Sequence, residues 1–532
     1  MARSSRPAAA QAKAATALQD WLGGRPLPER WHVVLGVVLP MALVLAGAWR
    51  VRAFVVDDAY ISFRYAENLA AGHGLVYNVG ERVEGYTNFL WTVLLAVLAR
   101  FGASVPTASK VLGALLSAGS LWPLFLLARR LRPLGSFPTL ATWLCASSFV
   151  YTGYAVFGLE APLFIALTLT GTELFWRECD REDGPDPHSE ATAWKTLPYS
   201  GLLFALAMLT RPEALVLFAL LVVSRGRQAI SKDGRMRLAL FALPVATHLV
   251  WRRSYYGAWL PNTLAAKTGD IADQVKGGRD YLEKYVAHAG TFLWLGLGSI
   301  AASVVALTGD GHMERARRAR IGLAIGAFTV LFGVYVILVG GDWMPYFRFV
   351  GPVEPFAFLL VDDAVRALLE RRERAVTLAI GAFAIWTTYT RVTSLREAQT
   401  SVLANDKTFW DDSAGRTATW FLEHTEPGPI AIADIGYVGY RTGYPIVDML
   451  GLLAPEIARL PGGYTKKVGD GFTDAIFARA PRYFVIISSS ADCKSPTVPS
   501  SRAAQADPRF KQYPLLNAIH LKGGGTWCIF GK

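Results

Sequence analysis

The sequence predicts a polytopic α-helical membrane protein that ends in a small soluble α/β domain. Three observations point there. Of the 532 residues, 52% are hydrophobic and only 18% are charged, whereas a soluble chain typically carries about 25% charged residues. The apolar residues gather into long runs separated by short charged connectors, as a bundle of spanning helices requires. From residue 392 onward that texture stops and short strand-like runs bounded by turn residues take over.

Residues 1–30 are basic and polar, too long for the first region of an ordinary cleaved signal. They read as a disordered cytoplasmic tail, so the first helix runs outward. Clear apolar segments follow at 31–50, 108–129, 134–152, 158–176, 238–252, 291–308, 321–340, 351–369 and 375–391. A longer stretch, 195–226, is interrupted by Thr210-Arg211-Pro212-Glu213. Proline removes a helix donor and a charged pair is costly in lipid, so two short helices meeting at a polar turn are expected.

The connectors orient the bundle. ARRLRP (128–133), SRGRQAISKDGRMR (224–237), MERARRAR (313–320) and LERRERA (369–375) are strongly basic and belong on the cytoplasmic side. All four fall there only if the short run 88–101 lies along the outer interface, a placement that its length and Trp91 suit. The count is then about eleven spans, making 31–391 the transmembrane domain and 392–532 an outer domain. Within the latter, PIAIADIG (429–436) and RYFVIIS (482–488) read as strands and TATWFLEHT (417–425) as a helix. The acidic segment 178–196 reads as a mobile loop.

The formal charge is +12, from 54 basic against 42 acidic residues. The excess sits in short loops, so it speaks for membrane orientation and against a nucleic-acid partner. No CxxC pair occurs among Cys145, Cys179, Cys493 and Cys528, which argues against structural zinc. Cys145 reads as buried in an apolar run. Cys493 and Cys528 both fall in the outer domain, where oxidation is permitted, and a disulfide is expected between them.

The densest polar cluster follows the first span: Val56-Asp57-Asp58-Ala59-Tyr60-Ile61-Ser62-Phe63-Arg64-Tyr65. One acid is expected to cap the helix that begins here. Two adjacent acids need more, because their repulsion is relieved only by a cation or a shared proton. Asp58 reads as the cap and Asp57 as the acid that carries chemistry. Tyr60, Arg64 and Asn68 share one face of that helix by four-residue spacing. His73, between two glycines, is a helix-end residue or a ligand contact. Val83-Glu84-Gly85-Tyr86-Thr87-Asn88 is, on composition alone, a polar turn.

The stretch VDDAYISFRYAENLAAGHGLVYNVGERVEGYTNFLW resembles the first outer loop of the GT-C glycosyltransferases that use polyprenyl-phosphate sugars. It is most similar to the mycobacterial cell-wall terminal arabinofuranosyltransferases and their bacterial relatives. FGLEAPLF (157–164), LTRPEAL (209–215), LPNTLAAK (260–267), GGDWMPYFRFVGP (340–352) and DIGYVGYRTGYPIVDMLGL (434–452) extend the likeness in matching order. The resemblance implies a GT-C fold in the inner membrane. A polyprenyl-phosphate sugar would be the donor, and transfer would go, with inversion, to a hydroxyl of a cell-envelope glycan on the periplasmic side. It also implies site residues. Asp57 is the general base, supported by Asp58; Tyr60, His73, Glu84, Tyr86, Asn88 and Asn262 face substrate; Glu160 matches a second acid. Arg64, Arg211, Lys267 and Arg348, the last beside Asp342, supply positive charge for the phosphate. Plainer readings stand beside these: an Arg211–Glu213 pair, a solvated Lys267, and an interfacial anchor at 340–348. A divalent metal on the acids is compatible, but no ligand set is complete. A non-catalytic scaffold on the same fold and a transporter are the alternatives; a transporter calls for charges within several spans and repeat symmetry.

Overall fold

The computed structural model describes residues 28–132, 139–184, 197–308, 313–342, 344, 346–370, 374–463 and 465–532. The N-terminal tail to residue 27, residues 185–196, Trp343, Pro345 and part of the 369–375 connector lie outside them. A helical bundle comes first: α1 (Glu29–Val51), α2 (Asp57–Ala70), α3 (Phe89–Arg100), α4 (Val105–Leu131), α5 (Leu140–Ala146), α6 (Phe149–Tyr154) and α7 (Ala161–Glu182). It continues with α8 (Ser200–Thr210), α9 (Ala214–Ser224), α10 (Lys232–Tyr256), α11 (Asn262–Lys267), α12 (Ile271–Ala289), α13 (Trp294–Thr308), α14 (Met313–Val339), α15 (Glu354–Leu369) and α16 (Arg374–Ser401).

By length and composition three helices can cross a membrane: Glu29–Val51, Val105–Leu131 and Arg315–Val339. The 27 residues of α4 extend about 40 Å at 1.5 Å per residue, more than a hydrocarbon layer of about 30 Å. Large apolar side chains remain on the outside of the bundle: Val223, Leu243 and Ile385 are 74%, 72% and 74% exposed. Such a surface belongs in lipid, and the chain is a membrane protein. The interrupted stretch does form two short helices, α8 and α9, joined at Arg211 and Pro212. At 11 residues each they reach only about 16 Å, so length alone does not make each of them a full crossing.

The four basic connectors meet at one end of the bundle. Arg130 pairs with Glu173 and Asp180, Arg225 with Asp183, Arg237 with Glu178 and Glu182, and Arg317 with Asp180. All these acids lie on the last turns of α7 or just after it. Arg132 pairs with Glu370, which brings in the fourth connector. Segment 178–184 is therefore not loose: α7 runs to Glu182 and its acids anchor the arginines. Helix α3 matches the short run at 88–101, but Trp91 is no interfacial anchor. It is fully buried, and its indole N–H donates to the Gly158 carbonyl at 3.0 Å.

Beyond α16, irregular helical turns lead into α17 (Arg416–His424), β1 (Ile430–Ile432), α18 (Gly436–Thr442), β2 (Ile446–Asp448), β3 (Tyr483–Ser488), β4 (Leu515–His520) and β5 (Thr526–Gly531). The sheet order is β2-β1-β3-β5-β4. β1 lies parallel to β2 and β3, while β5 runs antiparallel to β3 and β4. The expected strands and helix are present; β2, β4 and β5 are additional. Cys493 is bonded to Cys528, with Cα atoms 6.0 Å apart, and Cys145 is buried and free.

Candidate active site

Two adjacent acids start α2, and helix geometry turns successive side chains by about 100°. Asp57 and Asp58 therefore face different surroundings. Asp58 Oδ2 accepts from Arg348 Nη1 at 2.7 Å, and Arg348 Nε lies 2.6 Å from Asp342 Oδ2. The Lys267 charge acts on the same group of side chains. Burial opposes ionisation of Asp58, but Arg348 and Lys267 outweigh it and hold the carboxyl below its usual range. Burial and Arg348 push the Lys267 ammonium down. Arg348 is buried at 7% exposure, whereas Asp58 and Lys267 keep part of their surface open.

Asp57 looks the other way. Its Oδ2 accepts from the Gly436 N–H at 3.0 Å and its Oδ1 from the Tyr437 N–H at 2.7 Å. It thus caps α18 of the C-terminal domain and meets the positive end of that helix dipole. Burial, then the charge of Asp434, raise the Asp57 carboxyl far above the carboxylate range; the two N–H bonds oppose this. Asp434 is itself raised by burial and by Asp58. The expected division of labour is therefore corrected: Asp58 faces the cations and caps nothing, while Asp57 is the cap, for a helix 379 residues away.

Arg64 is likewise displaced from its expected role. Its Nε donates to Tyr77 O at 2.9 Å, Nη1 to Gly439 O at 2.6 Å, and Nη2 to Tyr444 O at 2.9 Å and Gly443 O at 3.3 Å. It satisfies carbonyls in and just after α18, which commits four of its five N–H groups to the C-terminal domain and to Tyr77. Tyr60, between the two ends, packs edge-on against Tyr437 at 4.9 Å and lies 5.3 Å from the tilted Tyr440 ring. A side chain at Gly436 would strike Asp57, and one at Gly439 would strike the Tyr77 hydroxyl, so both glycines are required for this approach.

Glu160, Asn88 and Arg211 form a connected group. Asn88 Nδ2 donates to Glu160 Oε2 at 3.0 Å, and Arg211 Nη1 lies 3.1 Å from Glu160 Oε1. Arg211 also pairs with Glu213 at 2.7 Å, as the plainer reading expected. Glu160 reaches Lys267 electrostatically, which ties this group to the Asp58 cluster. Glu84, Tyr86 and Asn262 belong to a separate seam. Glu84 pairs with Arg252 at 2.8 Å; burial raises its carboxyl to about 7, against the pull of Arg252. Tyr86 meets the Tyr256 hydroxyl at 3.2 Å, and Asn262 donates to Gly451 O and Leu452 O, both at 2.8 Å. His73 is exposed on its turn and joins neither group. Among the described residues no group of three or more His, Cys, Asp or Glu side chains is disposed to hold a metal ion.

Sequence reasoning missed Asp434, Tyr437 and Arg252. The first two lie within the 434–452 stretch that carries the resemblance, but nothing there singled them out.

ArnT from Cupriavidus metallidurans, solved bound to undecaprenyl phosphate, superposes with a TM-score of 0.55 at 13% identity, over 94% of this chain and 98% of its own. The chain has the GT-C fold. In sequence, this GT-C chain is 25% identical over 414 residues to a terminal β-(1→2)-arabinofuranosyltransferase of Corynebacterium glutamicum. It is 28% identical over 362 residues to the Mycobacterium tuberculosis protein of the same name. Those matches cover 69% and 59% of this chain but 56% and 54% of the relatives, so the chain spans a little over half of their length. Residues 396–530 match a family described as a domain of unknown function (DUF8728).

Proposed function

We propose that the protein is a membrane glycosyltransferase. It moves a sugar from a polyprenyl-phosphate donor to a hydroxyl of a cell-envelope glycan on the extracytoplasmic face. The observation that carries this reading is Arg348, buried beside Lys267 and bridging Asp342 to Asp58, the acid one short segment past the end of α1. Two cations at a membrane edge suit the phosphate of a lipid-linked sugar. The names of the curated relatives make arabinofuranose the first sugar to test.

Asp58 is the acid on the cation side, and we place the general base there rather than on Asp57. When phosphate engages Arg348, Asp58 loses its partner and its affinity for a proton rises. The acceptor hydroxyl then gives its proton to Asp58 while its oxygen attacks the anomeric carbon. The bond to the phosphate oxygen breaks, and the phosphate leaves with the electron pair, stabilised by Arg348 and Lys267. A single displacement inverts the anomeric centre. The eleven-span topology, with the N-terminus and basic connectors cytoplasmic, belongs to the same proposal. The gathering of all four connectors at one end supports it.

The test is transfer by the purified protein in lipid, with a panel of polyprenyl-phosphate sugars and an envelope glycan acceptor. Asp58→Asn should lower turnover by about 10²–10⁴-fold, and Arg348→Gln should weaken both donor binding and turnover. Wild-type turnover by Asp58→Asn overturns the base assignment. No transfer from any donor, with folding intact, favours a non-catalytic scaffold; the engagement of Asp57 and Arg64 in domain docking would then be the main role of α2.

A further inference from the structure

A chamber whose lining shares no residue with the acid cluster lies beside a group of aromatic rings: Phe149 packs edge-on against Tyr346 at 4.8 Å, and Phe347 lies 5.4 Å from His288. Its volume is about 280 Å³, and Ser147, Ser148, His288, Glu354, Thr390 and Arg391 line it. Two opposite charges face this space. Glu354 accepts from Ser148 at 2.8 Å and from Tyr285 at 3.0 Å. Arg391 donates to Ser147 Oγ, Ala289 O and Leu144 O, each at 3.1 Å, with its guanidinium 5.3 Å and 5.1 Å from the rings of Phe292 and Phe358. Among the described residues no carboxylate lies within ion-pair distance of Arg391. Glu354 acts on the Arg391 charge through space without closing an ion pair, and three bonds use three of the five N–H groups of the guanidinium.

The chamber opens into an apolar slot, the two sharing Ser147, Phe292, Phe383, Thr387 and Arg391. The slot adds Leu43, Trp143, Leu144, Val361 and Val365, from α1, α5 and α15. On α16, Ile385 and Tyr389 are exposed by 74% and 67%, and Phe383 and Trp386, which also line the chamber, by 40% and 66%. A polar chamber that holds both an arginine and a glutamate, continuous with an apolar slot beside a lipid-facing helix, matches an amphiphile with a dipolar head.

We infer that this cavity binds a zwitterionic phospholipid, with its phosphate at Arg391, its ammonium at Glu354 and an acyl chain in the slot. The site is independent of the transfer reaction proposed above.

The experiment is native mass spectrometry of the full chain released from nanodiscs. These would contain equal amounts of phosphatidylethanolamine and phosphatidylglycerol with a trace of polyprenyl phosphate. Phosphatidylethanolamine should be retained over phosphatidylglycerol by about tenfold or more. Ser394→Trp fills the chamber without touching the Arg391 bonds; it should abolish the bound lipid and leave the thermal midpoint unchanged. Arg391→Gln should lose the headgroup preference. Equal retention of the two phospholipids, preferential retention of polyprenyl phosphate, or lipid retention by Ser394→Trp equal to wild type would each overturn the inference.

Discussion

Removing the Arg64 guanidinium should loosen the C-terminal domain from the membrane domain. Arg64→Met keeps the alkyl stem and deletes the four bonds to Tyr77, Gly439, Gly443 and Tyr444. A hydrogen bond from a charged donor contributes about 1.5–3 kcal/mol, and each buried carbonyl left unsatisfied costs a similar amount. The favourable charge at the C-terminal end of α18 adds about 0.3–1 kcal/mol. Partial rehydration of the freed carbonyls reduces the sum, and we take about 3 kcal/mol as the net loss. At 1.4 kcal/mol per tenfold change, the seam should open about 10²-fold more often. Amide hydrogen exchange reads this directly, because protection reports the free energy of local opening. The amides of 436–444 should exchange about 10²-fold faster in Arg64→Met, while those of β3 and β5 keep their protection. Unchanged exchange at 436–444 would refute the argument that Arg64 is a docking residue. Unchanged docking with lost transfer would return it to the substrate.

The seam should also depend on pH through Asp57. Its folded-state affinity for protons is raised, so the stability it contributes is full below the ordinary carboxylate pKa of about 4 and is lost as pH rises through the raised value. Protection at 436–444, measured against the intrinsic exchange rate at each pH, should therefore fall between about pH 4 and about pH 8 in the wild type and stay flatter in Asp57→Asn; a seam that tightens with rising pH contradicts this. Reducing the Cys493–Cys528 bond, whose partners are 35 residues apart, should destabilise the C-terminal domain by about 3–4 kcal/mol in the chain-entropy model. A thermal midpoint of that domain unmoved by reductant would exclude it.

The membrane character, the gathering of the basic connectors, the acid pair and the disulfide were legible because each rests on local composition or on residue types that constrain their setting. Two acids at the exit of an apolar helix announce a cation or a proton nearby. They do not say which: Arg348 is 290 residues from Asp58, and Gly436 is 379 from Asp57. The shared face of Tyr60, Arg64 and Asn68 was also legible. Its partner was not, because a helix face that grips a phosphate and one that grips carbonyls need the same arginine. Trp91 misled for a related reason, since an indole is equally at home in an interface and in a core where its N–H finds a carbonyl.

The spacing along α2 explains why the acids cannot share one task. Asp57 and Arg64 are seven residues apart, about 10 Å along a helix. They hold Gly436–Tyr437 at one end of α18 and Gly443–Tyr444 at the other, again seven residues apart. The two helices therefore run side by side in the same direction, with an acid on the positive end and an arginine on the negative end of the shorter one. That match fixes the rotation of α2 about its axis. With the rotation fixed, the neighbour of Asp57 is turned toward Arg348, and any tilt of the C-terminal domain moves Asp58 relative to its cations. Docking of the C-terminal domain and the geometry of the candidate base are joined through one peptide unit. Gly436→Ala is the sharpest probe of that link: the added methyl would meet the Asp57 carbonyl and carboxyl. In the proposed reaction it should lower turnover although position 436 touches neither phosphate nor sugar, and it should leave the Arg237–Glu178 pair at the far end of the bundle undisturbed. Full turnover in Gly436→Ala, with 436–444 still protected, would show that α2 tolerates the shift and that the acid is placed by Arg348 alone.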